Sequence, residues 1–230
     1  MAAPHAERIA AALVDGEGCT PASVAGRGTV MRFDYGGGHG MVRHCERGGA
    51  MRRLIEDAYV LVNRPLREFR VHRHLAKAGL AVPPILGVCW RRRGMLVQGA
   101  VATEAAPGEN LDLFLRREAA DAPETLQRCG ALVRAMHDLG AWHADLQVRN
   151  VLVGETGMWL IDFDKATLHR HVSKIQRMRN LLRFRRSLEK NDFPETFFAH
   201  LCAGYGAVPP AWLDSIYRLK GRISDLGRRQ

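Results

Sequence analysis

Two short stretches in the middle of the chain hold the residues best suited to chemistry: WHADLQVRNVLV, from Trp142 to Val153, and WLIDFDKA, from Trp159 to Ala166. In the first, Asp145 is followed five residues later by Asn150; in the second, an apolar run leads into Asp162. An aspartate held in a loop can take the proton from an attacking hydroxyl. An asparagine at that spacing can reach back to a magnesium ion on a phosphate chain, and a carboxylate such as Asp162 brings the charge that this hard, oxygen-preferring cation demands. Such a set would suit transfer of a phosphoryl group to an alcohol. Asp145 is then the catalytic base, Asn150 and Asp162 are metal ligands, and His143 supports the loop. Singly, each of these is also an ordinary turn residue, since Asp and Asn are common in turns. Their joint spacing separates the two readings.

The first stretch is delivered by the helical run PETLQRCGALVRAMHDLG, with Asp121 expected as N-cap, Pro123 in the first turn and Gly140 after the end. NLDLFLRR just before it is also helical. Upstream the character changes. After a helix around Ala6–Val14, the segment GRGTVMRFDYGGGHGMVRHC reads as two strands, Thr29–Asp34 and Met41–Cys45. YGGGHG between them reads as a β-turn rather than a phosphate loop, because a hairpin needs residues tolerant of positive φ at that point. Gly26, Arg27 and Gly28, ahead of the first strand, are the better candidates for backbone facing phosphate. Pro65 opens the helix PLREFRVHRHLAKAG, which Gly79 closes, and ILGVCW and MLVQGAVATEA flank RRRG as a second hairpin. The expected fold class is α+β. A β-rich part over 1–104 carries the phosphate loop and the ATP-anchoring residues. A mainly α part over 105–230 begins near the hinge-like AAPGE and carries the catalytic loop, DFD and a basic helix.

Taken together, H-x-D-L-x-x-x-N, an apolar strand and D-F-x form the catalytic and metal-binding pattern of protein-kinase-like phosphotransferases, which predicts two lobes with ATP and Mg²⁺ as cofactors. Such enzymes also need an upstream basic residue for the phosphates and a helix glutamate to hold it. Glu68 fits the second role. Arg43, in MVRHC, stands where a lysine is usual, and arginine binds phosphate through a planar fork rather than as a point charge.

A narrower likeness rests on GRGTV, VRHCERGG, RPLREF, GLAVPPILG, ATEAAPG, HADLQVRNVLV and WLIDFDKA, in that order, followed by the basic LLRFRRSLEK. In these the chain resembles the lipopolysaccharide core kinases, and within them the Kdo kinases, which phosphorylate 3-deoxy-D-manno-octulosonic acid (Kdo) on lipid A precursors. The resemblance spans about Gly26 to Asp192. It implies a two-lobed kinase fold, ATP and Mg²⁺, the 4-hydroxyl of Kdo as acceptor, and Glu104 of ATEAAPG among the nucleotide-binding residues. Asp164, where protein kinases have glycine, is a feature of that family. CERGG stands where HYRRGG is more usual. After DFD there is no A-P-E and no long activation segment, the platform on which a protein kinase lays out a peptide.

Charge points the same way. The net charge is +10, and the segment Lys165–Lys190 alone holds nine Lys or Arg residues against Glu189, a surplus of +8. Within the basic helix, 170–190, Arg179, Arg183, Arg186 and Lys190 fall on one face, and Ile175, Met178, Leu181, Leu182 and Leu188 on the other. One reading is that this helix packs on its own domain. The other is that the basic face meets lipid A phosphates or the anionic leaflet of the inner membrane, at about 1 kcal/mol per charge. Both can hold. No secretion signal or apolar run of membrane-spanning length is evident, so the expected location is cytoplasmic, peripheral on the cytoplasmic face of the inner membrane. Five widely spaced cysteines read as reduced thiols, and the two HRH triplets lack nearby ligands for metal. No obligate protein partner is evident. The alternatives are a kinase for heptose or another small hydroxylated molecule, and a non-catalytic pseudokinase or basic binding module. Nucleic acid is not expected, since Phe184 is the one aromatic stacking partner in the basic helix.

Overall fold

The computed structural model describes residues 3–22, 30–44, 63–93, 96–215 and 217. The chain divides into two compact units, Met1–Pro107 with Trp159–Thr167, and Gly108–Met158 with Leu168–Gln230.

The first unit is built on a five-stranded sheet in the order β1-β2-β3-β5-β4, from β1 (Thr20–Pro21), β2 (Val30–Asp34), β3 (His39–His44), β4 (Ile85–Arg93) and β5 (Leu96–Glu104), with every neighbouring pair antiparallel. YGGGHG is the turn of the β2–β3 hairpin, with Asp34 opposite His39. Gly36 and Gly38 have φ of 86° and 153°, and the Gly36 amide donates to the Asp34 carboxylate at 2.6 Å, a local bond that closes the turn. Helix α1 (Ala3–Val14) lays Ile9, Ala12 and Leu13 on Phe33, Tyr35, Val42, Ala100 and Ala102, one buried apolar cluster. Helix α2 (Arg64–Lys77) starts as its residues dictate. The Asn63 side chain accepts from the Leu66 amide at 3.0 Å, and Pro65 occupies the first turn, where its missing N–H costs nothing. Of its inner face, Glu68 and His72 are buried together with Val71 and Leu75. The segment Trp159–Thr167 completes this unit: the Leu160 amide donates to Ala81 O at 3.0 Å, and buried Phe163 meets His72 edge-on at 5.3 Å.

In the second unit β6 (Glu109–Asn110) pairs with β8 (Val151–Gly154). Four helices make up most of the rest: α3 (Leu111–Arg117), α4 (Ala122–Asp138), α5 (Lys174–Lys190) and α6 (Glu195–Tyr205). Strand β7 (Ala141–His143) follows α4, β9 (Gly157–Leu160) carries the chain toward DFD, and β10 (Ala166–Leu168) comes after it. Asp121 stands at the N-cap position of α4 without a side-chain capping bond; its backbone is already helical there, so its carboxylate is not turned back on the first amides. Helices α4 and α6 approach at Gly130 and Gly204, where an added Cβ would collide with the backbone of the facing helix. Helix α5 begins in a capping box between Ser173 and Gln176. Ile175 departs from its expected apolar face of α5, and Phe184 from its expected availability as a stacking ring. Ile175 is 54% exposed, and Phe184 is fully buried, so it offers no ring for stacking a base.

Candidate active site

The segment that carries Asp145 is held by helix α5, one residue at a time. The Trp142 indole donates to Gln176 O at 3.2 Å. One turn on, Asn180 is buried, its amide nitrogen donating to His143 O at 2.8 Å and its amide oxygen accepting from the His143 backbone at 3.3 Å. Next, Arg183 Nη1 donates to Asp145 Oδ1 at 3.3 Å. Last, Ser187 Oγ accepts from the Val148 amide at 3.2 Å. Positions 176, 180, 183 and 187 recur at the three- and four-residue spacing of one helix face, so a rigid helix sets the register of a loop with little regular structure of its own.

The loop also braces itself. His143 is fully buried and its Nδ1 accepts from the Asp145 amide at 3.2 Å, which makes it a support and not a reacting group. Gln147 Nε2 donates to Asp145 Oδ1 at 2.8 Å. The Asn150 amide nitrogen donates to Asp145 O at 2.8 Å, which assigns its oxygen as the atom available to a cation. Beneath the loop, His137 is fully buried, with Nδ1 on the Tyr205 hydroxyl at 3.0 Å and Nε2 on Asn180 Oδ1 at 2.9 Å. Asn180 Oδ1 can only accept, so Nε2 carries the proton and Nδ1 accepts from Tyr205. Burial pushes the His137 pKa down to about 4.

The first unit gathers a separate charged cluster. Arg43 Nη2 lies 2.6 Å from Glu68 Oε1 and also 2.6 Å from Oε2, while Nη1 lies 2.9 Å from Asp162 Oδ1 and 4.0 Å from Asp164 Oδ2. One guanidinium thus meets three carboxylates. Burial pushes the Glu68 carboxyl up to about 7, Asp162 and Asp164 add to that rise, and Arg43 opposes it. Asp162 sits in the left-handed region at φ 65°, a strained conformation for a residue with a side chain. The Asp164 carbonyl accepts from Arg67 Nη2 at 3.0 Å, whereas its Oδ1 is buried without a hydrogen-bond partner. The unsatisfied Asp164 Oδ1 is an oxygen that a bound hard cation would satisfy, although among the described residues no group of three or more His, Cys, Asp or Glu is arranged to hold a metal ion.

Of the remaining expected residues, Glu104 accepts from the Tyr35 hydroxyl at 3.2 Å at the end of β5. Gly26, Arg27, Gly28 and Cys45 lie outside the described residues. Sequence reasoning did not find Gln147, Asn180 or Ser187 as partners of the loop, and it assigned Arg183 to a surface face. For the α5 residues the only signal was their spacing, and three of the four positions there, Gln176, Asn180 and Ser187, are neutral polar residues that no charge or hydrophobic pattern marks.

The family described as lipopolysaccharide kinase (Kdo/WaaP) matches residues 17–205. Among curated relatives, the chain is 30% identical over 173 residues to a 3-deoxy-D-manno-octulosonic acid kinase of Vibrio cholerae, covering 73% of each chain. It is 35% identical over 182 residues to the protein of that name from Xylella fastidiosa strain M12, covering 76% of this chain and 72% of the other. A third, from Xanthomonas campestris pv. campestris strain B100, is 34% identical over 181 residues with the same coverage. Among solved structures, WaaP in complex with acyl carrier protein shares the fold at a TM-score of 0.60 and 16% identity, over 91% of this chain and 86% of that one.

Proposed function

Because the chain belongs to the lipopolysaccharide kinase (Kdo/WaaP) family, we propose that it is a Kdo kinase, transferring the γ-phosphoryl group of ATP to the 4-hydroxyl of Kdo on a lipid A precursor. The observation that carries this is the loop around Asp145, whose carboxylate is held by Gln147 and Arg183 and whose carbonyl is held by Asn150. A carboxylate so fixed can accept the acceptor's proton as the oxygen attacks phosphorus, and fixing it beforehand removes the entropy of searching for that geometry.

The same reading assigns the other residues. Arg43, clamped by Glu68, presents a fixed positive fork to the nucleotide phosphates. Asp162 and Asn150 hold Mg²⁺, with Asp164 Oδ1 as a further oxygen donor. Bound there, the ion supplies charge neutralisation on the phosphates. Gly26 to Gly28 approach the phosphates through their backbone, and Glu104 lies in the nucleotide-binding set. Residues 1–104 act as the nucleotide lobe and 105–230 as the catalytic lobe. No helix among the described residues is long and apolar enough to cross a membrane. The enzyme works in the cytoplasm as a peripheral protein on the inner membrane, with α5 contributing positive charge toward anionic lipid.

ATP-dependent phosphate transfer to a panel of acceptors tests the assignment: Kdo-bearing lipid, free Kdo, an aminoglycoside and a generic protein. Transfer confined to the two Kdo acceptors is expected. Transfer to the aminoglycoside or the protein in preference to Kdo would overturn it.

A further inference from the structure

From the placement of Arg183 we infer that it is the residue that recognises the acid group of the acceptor sugar, an inference that rests on the function just proposed. Arg183 is 41% exposed at its side chain and bonds Asp145 Oδ1 through Nη1 at 3.3 Å. A guanidinium carries five N–H donors in a rigid plane, and Asp145 Oδ1 takes one of them. Asn180 and Ser187, before and after it on the same face of α5, already fix the loop through backbone atoms at His143 and Val148. Arg183 is the charged member of that row, and it is set against the one carboxylate that must receive the acceptor.

Position decides the ligand. The acceptor hydroxyl has to come within about 3 Å of the Asp145 carboxylate for proton transfer. Arg183 is on that same carboxylate, so the acceptor oxygen and the guanidinium lie within roughly 6 Å of each other, the sum of two hydrogen-bond lengths. Kdo carries its carboxylate on C2 and the 4-hydroxyl two ring carbons away, a separation that fits this span. A carboxylate is also the partner that an arginine fork binds through two parallel bonds. The neutral amide of Gln147, on the same oxygen of Asp145, cannot serve this purpose. In the acceptor complex Arg183 thus bridges the base and the substrate acid, and a neutral sugar has no such anchor.

The test compares the full-length protein with Arg183→Gln and Arg183→Lys, using free Kdo and its methyl ester, which keeps the hydroxyls and loses the negative charge. Steady-state kinetics and equilibrium binding are measured with both sugars. The native protein is expected to favour the acid over the ester by about tenfold or more, the size of a charged hydrogen bond. In Arg183→Gln that preference disappears because the Michaelis constant for the acid rises, while the value for ATP changes by less than about twofold. Arg183→Lys retains part of the preference. If Arg183→Gln keeps the native preference, the inference is wrong. It is equally wrong if the variant's loss falls on kcat alone, equally with acid and ester and with the preference in binding intact, which would leave Arg183 as a support of Asp145 and nothing more. Binding separates this from the parent proposal. An Arg183-dependent preference in binding without any transfer to Kdo would sink the kinase assignment and leave the acid site standing, whereas absence of acid binding to the native protein would sink the acid site.

Discussion

Asp145 has two side-chain donors on one of its oxygens, so replacing it tests the chemistry more than the fold. Asp145→Asn should lower kcat by at least about a hundredfold, the usual contribution of a positioned base, with the ATP dissociation constant nearly unchanged; near-native turnover in the variant would remove Asp145 from the chemistry. Asp162 permits a sharper comparison because its function and its backbone pull in opposite directions. Both Asp162→Ala and Asp162→Gly should abolish the effect of Mg²⁺ on nucleotide affinity, but glycine accepts φ 65° without strain, so Asp162→Gly should melt higher than Asp162→Ala by about 1 kcal/mol of stability. Equal melting temperatures would mean that the left-handed backbone costs nothing there. The kinase-like pattern of H-x-D-L-x-x-x-N and D-F-x pointed to Asp145, Asn150 and Asp162 as candidates, because the expected chemistry constrains which residue types stand how far apart in a loop. It also paired Arg43 with Glu68, and the structure puts these two side chains in contact. Gln147 and Arg183 were not legible as partners of Asp145, since an amide and one arginine among many carry no distinguishing pattern. Nothing in the letter D announces that Asp162 is strained.

At the scale of elements, the second unit depends on the seam between α4 and α6, where Gly130 and Gly204 let two backbones meet. Gly130→Ala should destabilise the protein by about 1–3 kcal/mol through overpacking, despite the better helix propensity of alanine, and thermal denaturation reads this directly. An unchanged or raised melting temperature would show that the seam can open. The polar contact above it sets a pH dependence. His137 is held at about 4 in the folded chain against an ordinary 6.5, so as pH falls the unfolded chain takes up this proton first. Stability from this group is therefore complete above about pH 6.5 and drains by roughly 3 kcal/mol as pH falls to 4. Denaturant melts across that window should flatten in His137→Gln, and an equally steep profile in the variant would assign the effect to other groups. The hairpins and the helices opened by Pro65 and Pro123 were legible from turn residues and punctuation. The orientation of α5 was only half legible. Leu181, Leu182 and Leu188 turn inward as a hydrophobic pattern predicts, but the face toward the catalytic loop is made of Asn180 and Ser187, which such a pattern assigns to solvent.

Across the whole molecule, the +10 charge is a property of the chain, but less of it is available than the count suggests. On α5 alone, Arg177 is bonded to Asp138, Arg185 is shared among Glu189, Glu195 and Asp214, and Arg183 faces Asp145. Lys174 and Arg179 are exposed. Cosedimentation with vesicles rich in anionic lipid should be strong at low salt, fall steeply as the screening length shortens, and weaken in the Lys174→Glu, Arg179→Glu double variant while catalysis on free Kdo persists. Binding indifferent to salt and to both reversals would move membrane contact away from this helix. Apart from the i,i+4 pair of Arg185 with Glu189, which arginines are spent on internal pairs was not legible, because the other carboxylates come from α4, the catalytic loop, α6 and beyond. The row of contacts from Gln176 to Ser187 also has a bearing on how the protein is made. The chain emerges from the ribosome N-terminus first, so His143, Asp145 and Val148 are in place some forty residues before the helix that holds them has been synthesised. Until α5 arrives, the loop lacks the partners that order it. On the proposed mechanism, a nascent or prematurely terminated chain that stops short of Asn180 carries Asp145, Asn150 and Asp162 but lacks the α5 side chains that hold their loop, and it is expected to be inactive in a phosphate-transfer assay.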